Sequence, residues 1–174
     1  LAREVPGIIG IKEASGKYDQ IAEILKDAPE GFSVLSGDDD MTFEMVKHGA
    51  AGVVSVASNI APALVTAMVN AALDGRLDEA AALDARLQPL FKACFVETSP
   101  IPAKAALSIL GLCTKEMRLP LVEASSNTFE LMKEIMLNFG YPKEKISFHQ
   151  MMGYGHCKYL DDKEYIRLTE EFVS

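Results

Sequence analysis

The chain has 174 residues, 49% of them hydrophobic and 24% charged, enough for a globular domain with a core of its own. Its net charge of −8 argues against a nucleic-acid backbone or an anionic membrane surface as partner, since both call for a basic face. No apolar run reaches the roughly 18 residues of a membrane span. The three cysteines, Cys94, Cys113 and Cys157, are too few and too scattered for a disulfide framework, so a cytoplasmic location is expected.

No basic stretch leads into an apolar one, so no signal peptide is expected in these residues, and the first residue, Leu1, is not Met, so a processed or cut chain is expected rather than a complete gene product. Ile8-Ile9-Gly10-Ile11-Lys12 reads as a buried strand. Over 18–27, Tyr18, Ile21, Ile24 and Leu25 recur at helical spacing and are expected to pack. Phe32–Ser36 is the second strand, and Asp38, Asp39 and Asp40 are candidate caps for a helix carrying Met41, Met45 and Val46. Gly49 ends it, Gly52–Val56 is the third strand, and Pro62 suits the first turn of a helix running to Gly75.

Strands alternating with helices over short connections imply a parallel sheet with right-handed crossovers. A closed (β/α)₈ barrel and an open doubly wound sheet both fit. Beyond residue 75 the pattern is helical: Asp78–Phe95, Pro102–Leu112 and Asn127–Phe139, the last capped near Ser126 or Asn127 and closed by Gly140. Composition then shifts. Tyr141, Tyr154, Tyr159 and Tyr165 lie past Gly140, making residue 140 a candidate boundary.

Lys12 closes an apolar strand and shares a face with Gly10, whose missing side chain would leave room beneath an inward-pointing amine. Desolvation there lowers an amine's pKa, and the neutral amine is the form that attacks a ketone. The plain alternative is a solvated lysine at a strand end. Ser36-Gly37-Asp38-Asp39 offers close backbone approach at Gly37 and helix N–H groups for an anion, or else an ordinary strand-to-helix turn. Val54 shares a strand face with Gly52 and Val56, and by itself is a core valine. His48 reads as a surface residue at a helix end, and Glu97–Pro102 as a structured connection. His149, His156 and Cys157 match no standard zinc spacing, so neither a metal nor any other cofactor is expected.

Four segments in order carry a resemblance. Ile9–Gly16 resembles the Schiff-base strand and turn of the dihydrodipicolinate synthase family, pyruvate-dependent class I aldolases and lyases. Leu35–Asp39, Gly52–Pro62 and Phe95–Lys104 resemble that family's following junctions, and the likeness covers about residues 5–140. It implies the C-terminal half of a (β/α)₈ TIM barrel: βα units over 1–75, a helical extension over 76–140, and a tail of unknown origin over 141–174. It implies Lys12 as the imine-forming catalytic residue, with Gly37 and Val54 lining the pyruvate pocket. Pyruvate and an aldehyde, aspartate semialdehyde, would be the substrates in lysine biosynthesis, and a homotetramer the usual assembly. The family's tyrosines, threonine pair and arginine have no counterpart in these segments, so this chain alone is expected to be inactive. Sialic acid lyase, keto-deoxy sugar acid aldolases and a non-catalytic binding module are the alternatives.

Overall fold

The computed structural model describes residues 2–141. The sequence features past that point, Tyr154, Tyr159, Tyr165, His149, His156, Cys157 and the body of the tail, lie outside the described residues. In chain order the elements are β1 (Gly10–Glu13), α1 (Tyr18–Asp27), β2 (Ser33–Ser36), α2 (Thr42–Lys47), β3 (Gly52–Val53), α3 (Pro62–Leu73), α4 (Leu77–Ala93), α5 (Ile101–Ile109) and α6 (Ser126–Asn138). Single 3₁₀ turns at Asp39–Met41 and Ala57–Asn59 follow β2 and β3.

The chain forms two compact units, one of Leu1–Ser55 with Leu64–Gln88, the other of Val56–Ala63 with Pro89–Ser174. The first unit is α/β. Its sheet is parallel in the order β1-β2-β3, with Lys12 opposite Leu35, Glu13 opposite Ser36, and Leu35 opposite Gly52. In-register neighbours point to the same side of a parallel sheet, so side chains separate into two sets. Ile11, Glu13, Val34, Ser36 and Val53 share one face; Gly10, Lys12, Ser33, Leu35 and Gly52 share the other.

The core lies on the Val34 face. Val34 packs with Ile21 of α1, Met45 and Val46 of α2, Ala50, Ala71 and Ala72 of α3, and Ala80 of α4. Ile24, Leu25, Phe32, Met41 and Phe43 close over that cluster. The alanines are no accident of composition: small side chains let helices approach one another and the sheet closely enough to exclude water. Tyr18 departs from the expected apolar stripe and is exposed. The third strand is shorter than its sequence suggests. Pairing ends at Val53, and Val56 is already in helical geometry (φ −85°, ψ −46°), so Val54 and Val56 do not share a strand face.

The second unit is helical. α5 buries Ile101, Pro102, Ala103, Ala105, Ala106 and Ile109, while α6 buries Thr128, Met132, Ile135 and Met136. The cap of α6 is Ser125, one residue before the expected positions, and its Oγ accepts from the Thr128 N–H at 3.3 Å. The Glu97 carboxylate in turn accepts from Ser125 N at 3.0 Å and Ser125 Oγ at 2.7 Å. Hydrogen bonds from Thr128 and then Ser125 hold that carboxyl below its ordinary pKa. The Glu97–Pro102 connection is thus tied to the start of α6. Tyr141 also belongs here: its N–H donates to Met136 O at 3.1 Å and its hydroxyl to Ile60 O. Among the described residues no helix is long and apolar enough to cross a membrane.

Candidate active site

Lys12 sits one residue before the C-terminal end of β1, where parallel-sheet enzymes place their chemistry. It is exposed, and so is Val54, at 46%. The desolvating enclosure anticipated around the amine is therefore not formed by these residues. Gly10 is not the clearance anticipated either. A Cβ there would stand 2.6 Å from Ser33 O, so Gly10 instead permits close pairing of β1 with β2.

The clearance for the lysine comes from Gly37. A Cβ at Gly37 would lie 2.8 Å from Lys12 Cε, 2.6 Å from Ala14 Cβ and 2.9 Å from Glu13 O. Gly37 follows β2 directly, so alternation along that strand returns it to the Lys12 face. Only glycine lets the lysine stem lie against the backbone here. The Gly37 N–H donates to Glu13 O at 2.7 Å. The Val54 N–H donates to Ser36 O at 2.8 Å, the bond that closes the last pair of the ladder, Ser36 with Val53. By register, Val54 is level with Gly37 and Ala14 beyond the row of Lys12 and Leu35. Lys12 and Gly37, far apart in sequence, thus meet at this end of the sheet, and Val54 directly follows β3 at the same end.

β2 does not lead directly into a helix. A 3₁₀ turn intervenes, α2 has six residues, and Asp38 makes no side-chain cap. Ser36 and Thr42 manage the junction instead. Ser36 Oγ accepts from Asp38 N at 3.3 Å and donates to Asp38 O at 2.8 Å, and Thr42 Oγ1 donates to the same oxygen at 3.0 Å. Both hydroxyl residues are fully buried, as their satisfied hydrogen bonds allow. The Asp38 carboxyl is pushed above its ordinary pKa, by burial first, then by Asp40 and Glu13, with Lys12 opposing.

Sequence reasoning passed over Glu13. It is 5% exposed, and its carboxylate accepts from Ser15 N at 3.0 and 3.2 Å and from Gln20 Nε2 at 3.2 Å. The signal was available: an acid directly after a strand-end lysine and two residues before a serine can close a turn on itself. His48 is likewise not solitary. Its ring stands edge-on to Tyr18 with centroids 5.7 Å apart, and its Nδ1 is 2.7 Å from Glu44 O. The Tyr18 hydroxyl is 3.2 Å from both ring nitrogens. That pairing occupies Tyr18 at the α1–α2 surface. Among the described residues no group of three His, Cys, Asp or Glu side chains could hold a metal ion.

Comparison with known proteins identifies the family. The profile of the dihydrodipicolinate synthetase family matches residues 1–138. The 4-hydroxy-tetrahydrodipicolinate synthase of Archaeoglobus fulgidus is 44% identical over 133 residues, 76% of this chain and 46% of that protein. The crystal structure of dihydrodipicolinate synthase from Thermotoga maritima superposes with a TM-score of 0.78 at 42% identity, over 80% of this chain and 48% of that one. The chloride-inhibited dihydrodipicolinate synthase from Acinetobacter baumannii, complexed with pyruvate, superposes with a TM-score of 0.76 at 31% identity, over 79% of this chain and 47% of that one. The chain spans about half the length of the relatives it matches. On the extent of the profile match and the identity to these relatives, it belongs to the dihydrodipicolinate synthetase family.

Proposed function

We propose that Lys12 is the imine-forming residue of a dihydrodipicolinate synthase-type lyase, with Gly37 and Val54 lining the keto-acid pocket. The observation that carries this reading is the contact of the Lys12 stem with Gly37 at the strand end, Val54 directly following β3 at the same end. A neutral Lys12 amine adds to the ketone of pyruvate, and loss of water gives the iminium. Removal of a methyl proton gives the enamine, whose carbon attacks the aldehyde of aspartate semialdehyde. Lys12 supplies the nitrogen, the Gly37 carbonyl a hydrogen-bond acceptor, and Val54 an apolar wall beside the methyl group.

The sheet fits the same reading as three adjacent strands of a (β/α)₈ barrel, with 1–75 its βα units and 76–140 a helical extension. Barrel closure and the groups that move protons and hold the second substrate would come from the portion of the family's chain not matched here. Self-assembly into a homo-oligomer, tetrameric in the complete enzyme, and a cytoplasmic role in lysine biosynthesis belong to this proposal.

Incubation with pyruvate and borohydride, followed by peptide mass spectrometry, tests the assignment. One reduced adduct on Lys12, lost in Lys12→Ala, is the expected result. An adduct on another lysine with Lys12 unmodified overturns it. In a coupled assay with pyruvate and aspartate semialdehyde the chain alone should show no turnover. Rates comparable to a complete synthase would refute the account of the missing groups.

A further inference from the structure

We propose that Glu13 is a positioning residue for Lys12: its buried carboxylate fixes the turn after β1 and so aims the amine along Gly37. The inference rests on the reading of Lys12 as the imine-forming residue. Neighbouring strand residues point to opposite faces, so Lys12 and Glu13 share a peptide but not a side of the sheet. Whatever fixes residue 13 therefore fixes the direction in which residue 12 leaves the strand.

Glu13 is fixed at three points. Its carboxylate grips Ser15 N through both oxygens, at 3.0 and 3.2 Å. It also reaches the first turn of α1 through Gln20 Nε2, at 3.2 Å. Its carbonyl accepts from Gly37 N at 2.7 Å, which joins the same residue to the glycine beside the lysine stem. These partners are neutral donors, and burying a carboxylate among them costs more than burying a neutral group. A serine or an asparagine closes such a turn without that cost. What the longer carboxylate adds is reach: it joins the turn to α1, a helix seated on the core through Ile21. The lysine's strand end is thereby referred to the rigid side of the unit. Misplacement of a reacting group by about 1 Å lowers rates by as much as 10²-fold.

The test compares wild type, Glu13→Ala, Glu13→Gln and Gln20→Ala in the rate of borohydride-trapped imine at varied pyruvate. Glu13→Ala should slow trapping at Lys12 by about 10-fold or more, with a smaller change in the half-saturating pyruvate concentration. Glu13→Gln, which keeps an acceptor in place, should recover to within about threefold. An unchanged rate in Glu13→Ala overturns the proposal, as does a Gln variant as slow as the Ala variant. If Glu13→Ala fails to fold, Gln20→Ala carries the test. It should slow trapping about two- to threefold with an unchanged melting temperature, and an unaltered rate overturns the proposal. Competitive acetylation of Lys12 against Lys17 and Lys26 separates the two ideas. If wild type gives no adduct on Lys12, the imine assignment fails. Glu13 is then judged by the labelling ratio: a change in Glu13→Ala restored in Glu13→Gln supports positioning, and no change overturns it.

Discussion

The two faces of the β1-β2-β3 sheet are built from alternate residues of the same strands and have opposite characters. One holds Val34 and Ser36 beneath α1 and α2, both buried and either packed or hydrogen-bonded. The other holds Lys12, Leu35 and Gly52, continued by Gly37 and Val54, with the lysine and Val54 exposed. The lesson is a division of labour at single-residue spacing. Stability is supplied through Val34 and Ser36 on one face, while the other leaves Lys12 and Val54 exposed. Glu13 and Gly37 belong to both, because each joins the reactive face to the packed one through the backbone.

Substitutions can break or sharpen that contrast. The largest loss of stability is expected on the packed face. Met45 is fully buried, and Met45→Ala should cost about 2–5 kcal/mol, read from the denaturant midpoint, by leaving a cavity beneath the sheet. Gly37→Ala comes next and alone should affect both properties. Its new methyl would overlap Ala14 Cβ and Lys12 Cε, costing about 1–3 kcal/mol and slowing imine trapping severalfold. A glycine variant that traps pyruvate normally would show that the lysine stem does not depend on that clearance.

A smaller effect belongs outside the sheet. Ser125→Ala removes the cap of α6 and the hydroxyl's hydrogen bond to Glu97, for about 1 kcal/mol, leaving trapping at Lys12 unchanged. Acid should weaken the same tie. The Glu97 pKa is lowered by folding, so its contribution is present above the unfolded value and is lost as pH falls through the folded one.

Asp84 has the opposite sign. Burial raises its pKa above the ordinary 3.8, partly offset by Gln88, with Glu44 and Asp40 adding to the rise. The folded state therefore binds that proton more tightly, and stability falls as pH rises from the unfolded to the folded pKa. Asp84→Asn should raise the melting temperature slightly at neutral pH, an advantage that vanishes below the unfolded pKa. The smallest change is expected on the accessible face. Val54→Ala should shift stability by less than about 0.5 kcal/mol while altering the half-saturating pyruvate concentration. A large stability loss there would mean that the face is packed in solution, as closure of a barrel or self-assembly would produce.

The sequence by itself determined the alternation of strands and helices. Apolar runs of four or five residues, an amphipathic stripe through Ile21, Ile24 and Leu25, and punctuation by Gly49, Gly75 and Gly140 are local signals, because strand and helix periods are local properties. The span of α1 was legible to the residue. The motif around Lys12 was legible too, because a family resemblance is carried by residue order. Tertiary structure alone decided which glycine makes room for the lysine. Gly10 shares a strand with Lys12, but Gly37 touches its stem, and that pairing depends on the register of β1 against β2. It decided that Ser125 caps α6, since Glu97, distant in sequence, holds it there. It ended β3 at Val53, where chain geometry and not β-propensity stops the ladder. It also buried Glu13, a residue whose charge reads as surface until a turn and a helix supply the donors that let it leave water.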